Sequence, residues 1–67
     1  MKYIFRKELL YKYITHNKLT TRPNGWEIAI DGQEAVYNER IGNLCVYTST
    51  DNNYYLVDEA WCEEVDV

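Results

Sequence analysis

One break divides this sequence. In Thr20-Thr21-Arg22-Pro23-Asn24-Gly25 the proline fixes φ and Asn-Gly supplies positive φ, so the chain must turn there. The hydrophobic period differs on its two sides, which predicts a helical part followed by a sheet. Before the break, residues 5–17 contain no glycine, proline or aspartate, and Phe5, Leu9 and Tyr13 recur at four-residue spacing with Leu10 and Ile14 beside them. That is one apolar face of a helix of about three turns. Lys7 and Lys12 fall towards its other side, and His16 and Lys18 suit the negative pole of the helix dipole. Leu9, Tyr11 and Tyr13 also alternate, so a strand is the competing reading, and Lys2–Phe5 can be extended in either case.

After the break the period becomes two. Trp26, Ile28 and Ile30 alternate with Glu27, Ala29 and Asp31, which predicts a strand with one buried face. Asp31-Gly32 is a two-residue hairpin signal, and closing a hairpin there pairs Ile30 with Gln33, Ile28 with Ala35 and Trp26 with Tyr37. Gly42-Asn43 marks the next turn, Leu44–Thr48 a third strand, Ser49–Asn53 a polar turn and Tyr54–Val57 a fourth strand. The last two strands are apolar on both faces, so at least one of them calls for cover on two sides. Asp58 can cap a helical turn over Glu59-Ala60-Trp61-Cys62, with Trp61 and Val65 pinning the tail to the core. The expected fold is α+β, an N-terminal helix packed on a four-stranded antiparallel meander. It forms one domain over residues 1–67, with a basic helical segment at 1–22 and an acidic sheet at 23–67.

The stretch from Gly25 to Val65 also resembles a small SH3-like barrel. The points of resemblance are a glycine-bounded hairpin, an Ile41-Gly42 turn, an Asp51-Asn52-Asn53 turn and a closing Trp61-Cys62-Glu63-Glu64-Val65 segment. The resemblance implies a closed β-barrel as the alternative fold. It does not extend to peptide recognition, because the aromatic and proline-binding signature of peptide-binding members is missing.

At 67 residues and 8.0 kDa the chain makes one domain near the lower limit for folding alone, which excludes a two-lobed enzyme. No stretch approaches the ~18 apolar residues of a membrane span. With 46% hydrophobic and 15% aromatic residues, disorder is not expected either. Arg6, Lys7 and Glu8 interrupt the apolar run at Tyr3-Ile4-Phe5 before it becomes a secretory core, so a cytoplasmic protein is expected. Cys45 and Cys62 are then expected as reduced thiols; they sit in different segments, which leaves a disulfide open, but no spacing rule favours one.

Chemistry-bearing patterns are scarce. His16 is the single histidine, and with Cys45 and Cys62 it shows no metal-ligand spacing. Gly25, Gly32 and Gly42 stand alone, so there is no phosphate-cradling loop. The paired carboxylates Asp58-Glu59 and Glu63-Glu64 read as solvated faces, because catalytic carboxylates need burial to shift them. No enzyme, cofactor or metal is expected.

Charge is distributed unevenly. Lys2, Arg6, Lys7, Lys12, Lys18 and Arg22 against Glu8 give residues 1–22 a charge of +5, while ten carboxylates against Arg40 give residues 23–67 a charge of −9. An acidic surface steers basic partners and imitates phosphate spacing. The candidate partner-binding residues are therefore Glu27, Asp31, Glu34, Glu39, Asp58, Glu59, Glu63, Glu64 and Asp66, with Tyr54 and Tyr55 as aromatic contacts. The six cations of the first segment, interleaved with Tyr3, Tyr11 and Tyr13, make a nucleic-acid-binding segment the alternative. A small acidic domain rich in Tyr, Asn and Lys resembles in type the accessory and host-takeover proteins of bacteriophages. That resemblance implies a non-enzymatic inhibitor that blocks a basic, nucleic-acid-binding host protein. An SH3-like adaptor or nucleic-acid-binding domain is the alternative function. Surplus aromatics and strand edges also make a homodimer an expected assembly.

Overall fold

In a computed structural model that describes residues 1–20, 22–49 and 52–66, a first strand β1 (Lys2–Phe5) precedes the helix α1 (Lys7–His16). A short helix α2 (Trp26–Ile30) then precedes β2 (Glu34–Asn38), β3 (Asn43–Thr48) and β4 (Asn53–Val57). A 3₁₀ turn over Glu59–Trp61 leads into β5 (Cys62–Val65). All strand neighbours are antiparallel and the order is β4-β3-β2-β1-β5. The fold is therefore α+β around an open five-stranded sheet. It is neither a four-stranded meander nor a closed barrel.

α1 forms where the four-residue spacing predicts it, and buries Leu10 and Ile14 one turn apart. Arg6 at its N-cap makes no side-chain cap bond. Asp31, distant in sequence, does the work instead: its Oδ1 accepts from the Lys7 backbone N–H at 3.0 Å. At the other end Lys18 takes φ 53, and the Leu19 N–H bonds the Ile14 carbonyl at 3.0 Å. This closure of the last turn more commonly carries glycine.

Residues 26–30 are the main departure from expectation. Trp26 and Ile30 share a face at either period, so five residues cannot separate helix from strand by pattern alone. Burial separates them: Glu27 and Ile30 are buried and Trp26 packs on the core, while Ile28 is 62% exposed, which is a helical pattern. Gly25 starts this helix with φ +94, a left-handed conformation that strains any residue with a Cβ. The hairpin at Asp31-Gly32 is likewise absent. Gly32, at φ +83, turns the chain from α2 towards β2, and its N–H donates to the Phe5 carbonyl at 2.8 Å. The Phe5 N–H in turn donates to the Gln33 carbonyl at 2.9 Å. β1 thus occupies the place beside β2 that the alternation assigned to residues 26–30, and Ala35 faces Tyr3 rather than Ile28.

The C-terminal segment is also a correction. Asp58 caps the 3₁₀ turn as expected, its Oδ1 accepting from the Ala60 N–H at 2.9 Å. Trp61 packs on the core as expected, but the residues beyond it form a fifth strand, with Cys62 opposite Phe5, Glu63 opposite Ile4, Glu64 opposite Tyr3 and Val65 opposite Lys2. Of the polar turn at Ser49–Asn53, Thr50 and Asp51 lie outside the described residues.

The core lies between the helices and one face of the sheet. Phe5, Ala35, Val46 and Val57 project from the strands onto Leu10, Ile14 and Ile30. Trp26 sits at an aromatic junction, with ring centroids 5.9 Å from Phe5, 6.0 Å from Tyr55 in a near-parallel stack and 6.5 Å from Trp61. Tyr13 of α1 meets Trp61 edge-on at 5.9 Å.

Candidate functional site

Strand alternation places every second residue on the face that the helices leave uncovered. One row across it is apolar, with Val36 opposite Cys45 and Cys45 opposite Leu56. In the next row Tyr47 faces Tyr54, their ring centroids 4.9 Å apart. Glu34, two residues along β2 from Val36, aligns with Tyr47, which is two along β3 from Cys45. Ile4 faces Glu34 on one side and Glu63 on the other, and Lys2 faces Val65. Val36, Tyr47, Tyr54 and Leu56 are 47–58% exposed, whereas Cys45 between them is buried. The Tyr47 hydroxyl donates to Asn52 Oδ1, which holds that ring against the turn after β3. Glu34, Val36, Cys45, Tyr47 and Tyr54 line a shallow depression of about 250 Å³. A sheet with one wet face normally alternates apolar-in and polar-out, and this one is apolar on both sides. A contiguous exposed patch of this kind marks an interaction surface.

Of the candidate partner-binding residues, Glu34, Glu63 and Tyr54 lie on this face. Ile4, Val36, Tyr47 and Leu56 belong with them and were missed by a reading that followed carboxylates. The signal that could have found them is the apolar character of Leu44–Thr48 and Tyr54–Val57 on both faces.

The other carboxylates are dispersed. Glu27 is 5% exposed and offers no surface. Its Oε2 accepts from the Tyr11 hydroxyl at 2.6 Å and its Oε1 from the Gly25 N–H at 2.9 Å, which ties α1 to the start of α2. Asp31 and Asp58 cap helical turns. Glu59 accepts from the Tyr3 hydroxyl at 3.3 Å. Burial, then the charges of Glu59 and Glu64, push that phenol above its ordinary value. Glu39 lies in the turn after β2, and Glu64 and Asp66 are exposed on and just beyond β5. Tyr55 points inward onto Trp26. Nine carboxylates expected on one surface therefore divide among caps, one buried clamp and separate exposed positions.

The cations also divide. Arg6 Nη2 meets Glu63 Oε1 at 3.4 Å with both side chains nearly half exposed, a contact that stabilises by only ~0–1 kcal/mol. Lys7 lies near enough to Glu27 to favour its charged form. Lys2 stands on the uncovered face of the sheet, while Lys12 is exposed on α1 across the other face, and Lys18 and Arg22 follow that helix. The six share no single side of the molecule.

The Glu27 clamp has a pH signature. The Tyr11 hydrogen bond, above all, with backbone donors and Lys7, holds the Glu27 carboxyl below its ordinary value despite burial. Its contribution is present above the unfolded carboxylate pKa of about 4.3 and is lost as pH falls through the lower folded value. The Tyr11 phenol is raised, first by the bond to Glu27, then by burial and the charges of Glu27 and Asp31. Its contribution is present below the unfolded tyrosine pKa of about 10 and is lost as pH rises through the folded value. Tyr11→Phe is expected to lower the melting temperature at neutral pH, move acid unfolding to higher pH and flatten the alkaline decline. Identical melting profiles for the two proteins across that range would count against the clamp.

The two thiols lie on opposite faces of the sheet. Cys45 faces outward in β3 and Cys62 faces the core in β5, three strands away, or ~14 Å at the usual strand spacing. That is beyond the ~7 Å that a disulfide tolerates between Cα atoms. Burial pushes the Cys62 thiol up to about 11, with the Asp58 and Glu59 charges adding to it, and the Asp58 carbonyl accepts from its Sγ at 3.5 Å. Alkylation of Cys62 at neutral pH is expected to be on the order of 100-fold slower in the folded protein than in urea, because the thiolate is the nucleophile. Mass-resolved labelling measures this, and equal rates in the two states would refute the burial. Among the described residues no cluster of three or more His, Cys, Asp or Glu side chains is placed to hold a metal ion. Among the described residues no helix is long and apolar enough to cross a membrane.

Comparison with protein-family models, with curated proteins and with solved structures finds no match for this chain.

Proposed function

We propose that this chain is a non-catalytic protein-binding module whose working surface is the uncovered face of the sheet. One observation carries the reading: Val36 and Leu56, on either side of the buried Cys45, and a tyrosine pair, Tyr47-Tyr54, remain in contact with water on a sheet whose other face already holds the core. Exposed tyrosine beside aliphatic side chains is the composition of interface hot spots. Glu34 and Glu63 stand in the same row as the tyrosines, Glu63 shared with Arg6 and Glu34 free of any ion pair among the described residues, so the face favours a partner with a cationic rim. The finer reading follows from the resemblance of type: an inhibitor of the host-takeover kind that occupies a basic, nucleic-acid-binding host protein. It rests on fewer carboxylates than composition suggests, and on apolar contact more than on charge.

Affinity capture with Tyr54→Ala and with a Glu34→Lys, Glu63→Lys double variant tests this reading. The wild-type chain is expected to recover a basic protein, and Tyr54→Ala to weaken its binding about 30-fold, as for a hot-spot tyrosine. The double charge reversal is expected to slow association and remove its salt dependence. Unchanged binding by both variants would place the interface elsewhere. Direct, salt-sensitive binding of the chain to DNA or RNA would favour the alternative function, which the scattering of Lys2, Arg6, Lys12 and Arg22 does not support.

A further inference from the structure

A second surface feature lies on the opposite side of the molecule. The loop after α1 leaves a cleft of about 250 Å³ between the two helices and the 3₁₀ turn, walled by Leu10, Ile14, Pro23, Trp26 and Trp61. Arg22 is the one charged residue on its lining, and among the described residues it makes no ion pair. The Trp61 indole forms one wall, and its Nε1–H is shut off from solvent with no acceptor among the described residues. A buried indole donor normally finds one. The cleft therefore combines rigid apolar walls with a guanidinium at the rim that has no ion-pair partner among the described residues.

We infer that this cleft binds a small aromatic carboxylate. A dry apolar cavity of about 150 Å³ accommodates benzene, so the larger space here holds one six-membered ring with a short acid tail. Trp26 and Trp61, fixed by their mutual contact and by Phe5, Tyr55 and Tyr13, present rigid aromatic walls to such a ring. The carboxylate meets the guanidinium, whose fork geometry suits it. A neutral aromatic fills the space but leaves the cation unpaired, so charge sets the preference. This site shares no residue with the uncovered sheet face, and neither proposal depends on the other.

Phenylacetate is the probe, with 2-phenylethanol as the neutral ligand of similar shape, and the readout is the pair of indole N–H resonances of the full chain in ¹H–¹⁵N spectra. Phenylacetate is expected to shift the Trp61 indole resonance saturably with Kd of about 1 mM or tighter, and the alcohol to bind at least ~10-fold more weakly. Arg22→Gln, at an exposed position, is expected to keep the fold and remove the difference between acid and alcohol. Absence of a saturable shift, equal binding of the two ligands by the wild-type chain, or an undiminished preference in Arg22→Gln each overturns the inference.

Discussion

Phe5→Ala is expected to leave this protein unfolded or nearly so at 25 °C. Phe5 is fully buried at the centre of the core, against Trp26, and it sits in β1, which joins β2 to β5. Truncating a buried phenylalanine costs about 3–5 kcal/mol, the lost transfer energy plus the cavity left behind. A chain of this length has only ~3–10 kcal/mol of stability in all. The backbone bonds of Phe5 to Gly32 and Gln33 survive the substitution, so the loss isolates packing. Urea titration followed by tryptophan fluorescence measures it, with Ile30→Val, at about 0.5–1.5 kcal/mol, as the graded control. A loss under ~1 kcal/mol for Phe5→Ala would mean that β1 is not where the core is built.

Ending the chain after Trp61 is expected to abolish cooperative melting. The missing segment includes β5, which pairs with all four residues of β1. Without it β1 becomes an unpaired edge, and the space that Cys62 fills beside Phe5 opens to water. Glu63→Gln with Glu64→Gln retains the strand and discards its charge; it is expected to change stability by less than ~1 kcal/mol, since exposed charges contribute little. Calorimetry separates the two. A truncated chain that still shows a sharp transition would show that the ladder to β5 is dispensable. A large loss in the double variant would mean that charge rather than strand pairing holds the C-terminus.

Different parts of this architecture were legible to different degrees. The helix expected over residues 5–17 was legible in its middle, where Leu9, Leu10, Tyr13 and Ile14 favoured it over the competing strand; it forms at Lys7–His16, and Phe5 belongs to β1 instead. The strands at Leu44–Thr48 and Tyr54–Val57, and the Asp58 cap, were readable because a turn signal or a short polar residue marks where each begins. Trp26–Ile30 was not, because five residues are too few to distinguish two periods, and a glycine with positive φ serves a helix start as well as a hairpin. The binding face was half legible: strands apolar on both sides announced a second covered surface, but counting carboxylates pointed to Glu27, Asp31 and Asp58, which the fold uses internally.

By itself the sequence determined a helix in a basic first segment, strands in an acidic remainder, and more aromatic surface than so small a core can enclose. Those properties are local or compositional, and no contact is needed to read them. Only the tertiary structure decided that β1 lies between β2 and β5, that Glu27 is a clamp and not a contact, and which apolar row stays wet. The first two of those outcomes join residues 16 or more positions apart, and the third joins three strands. A strand's partner, a carboxylate's donor and a side chain's exposure are settled by the whole packed arrangement, because burying one group removes the place that another would have taken.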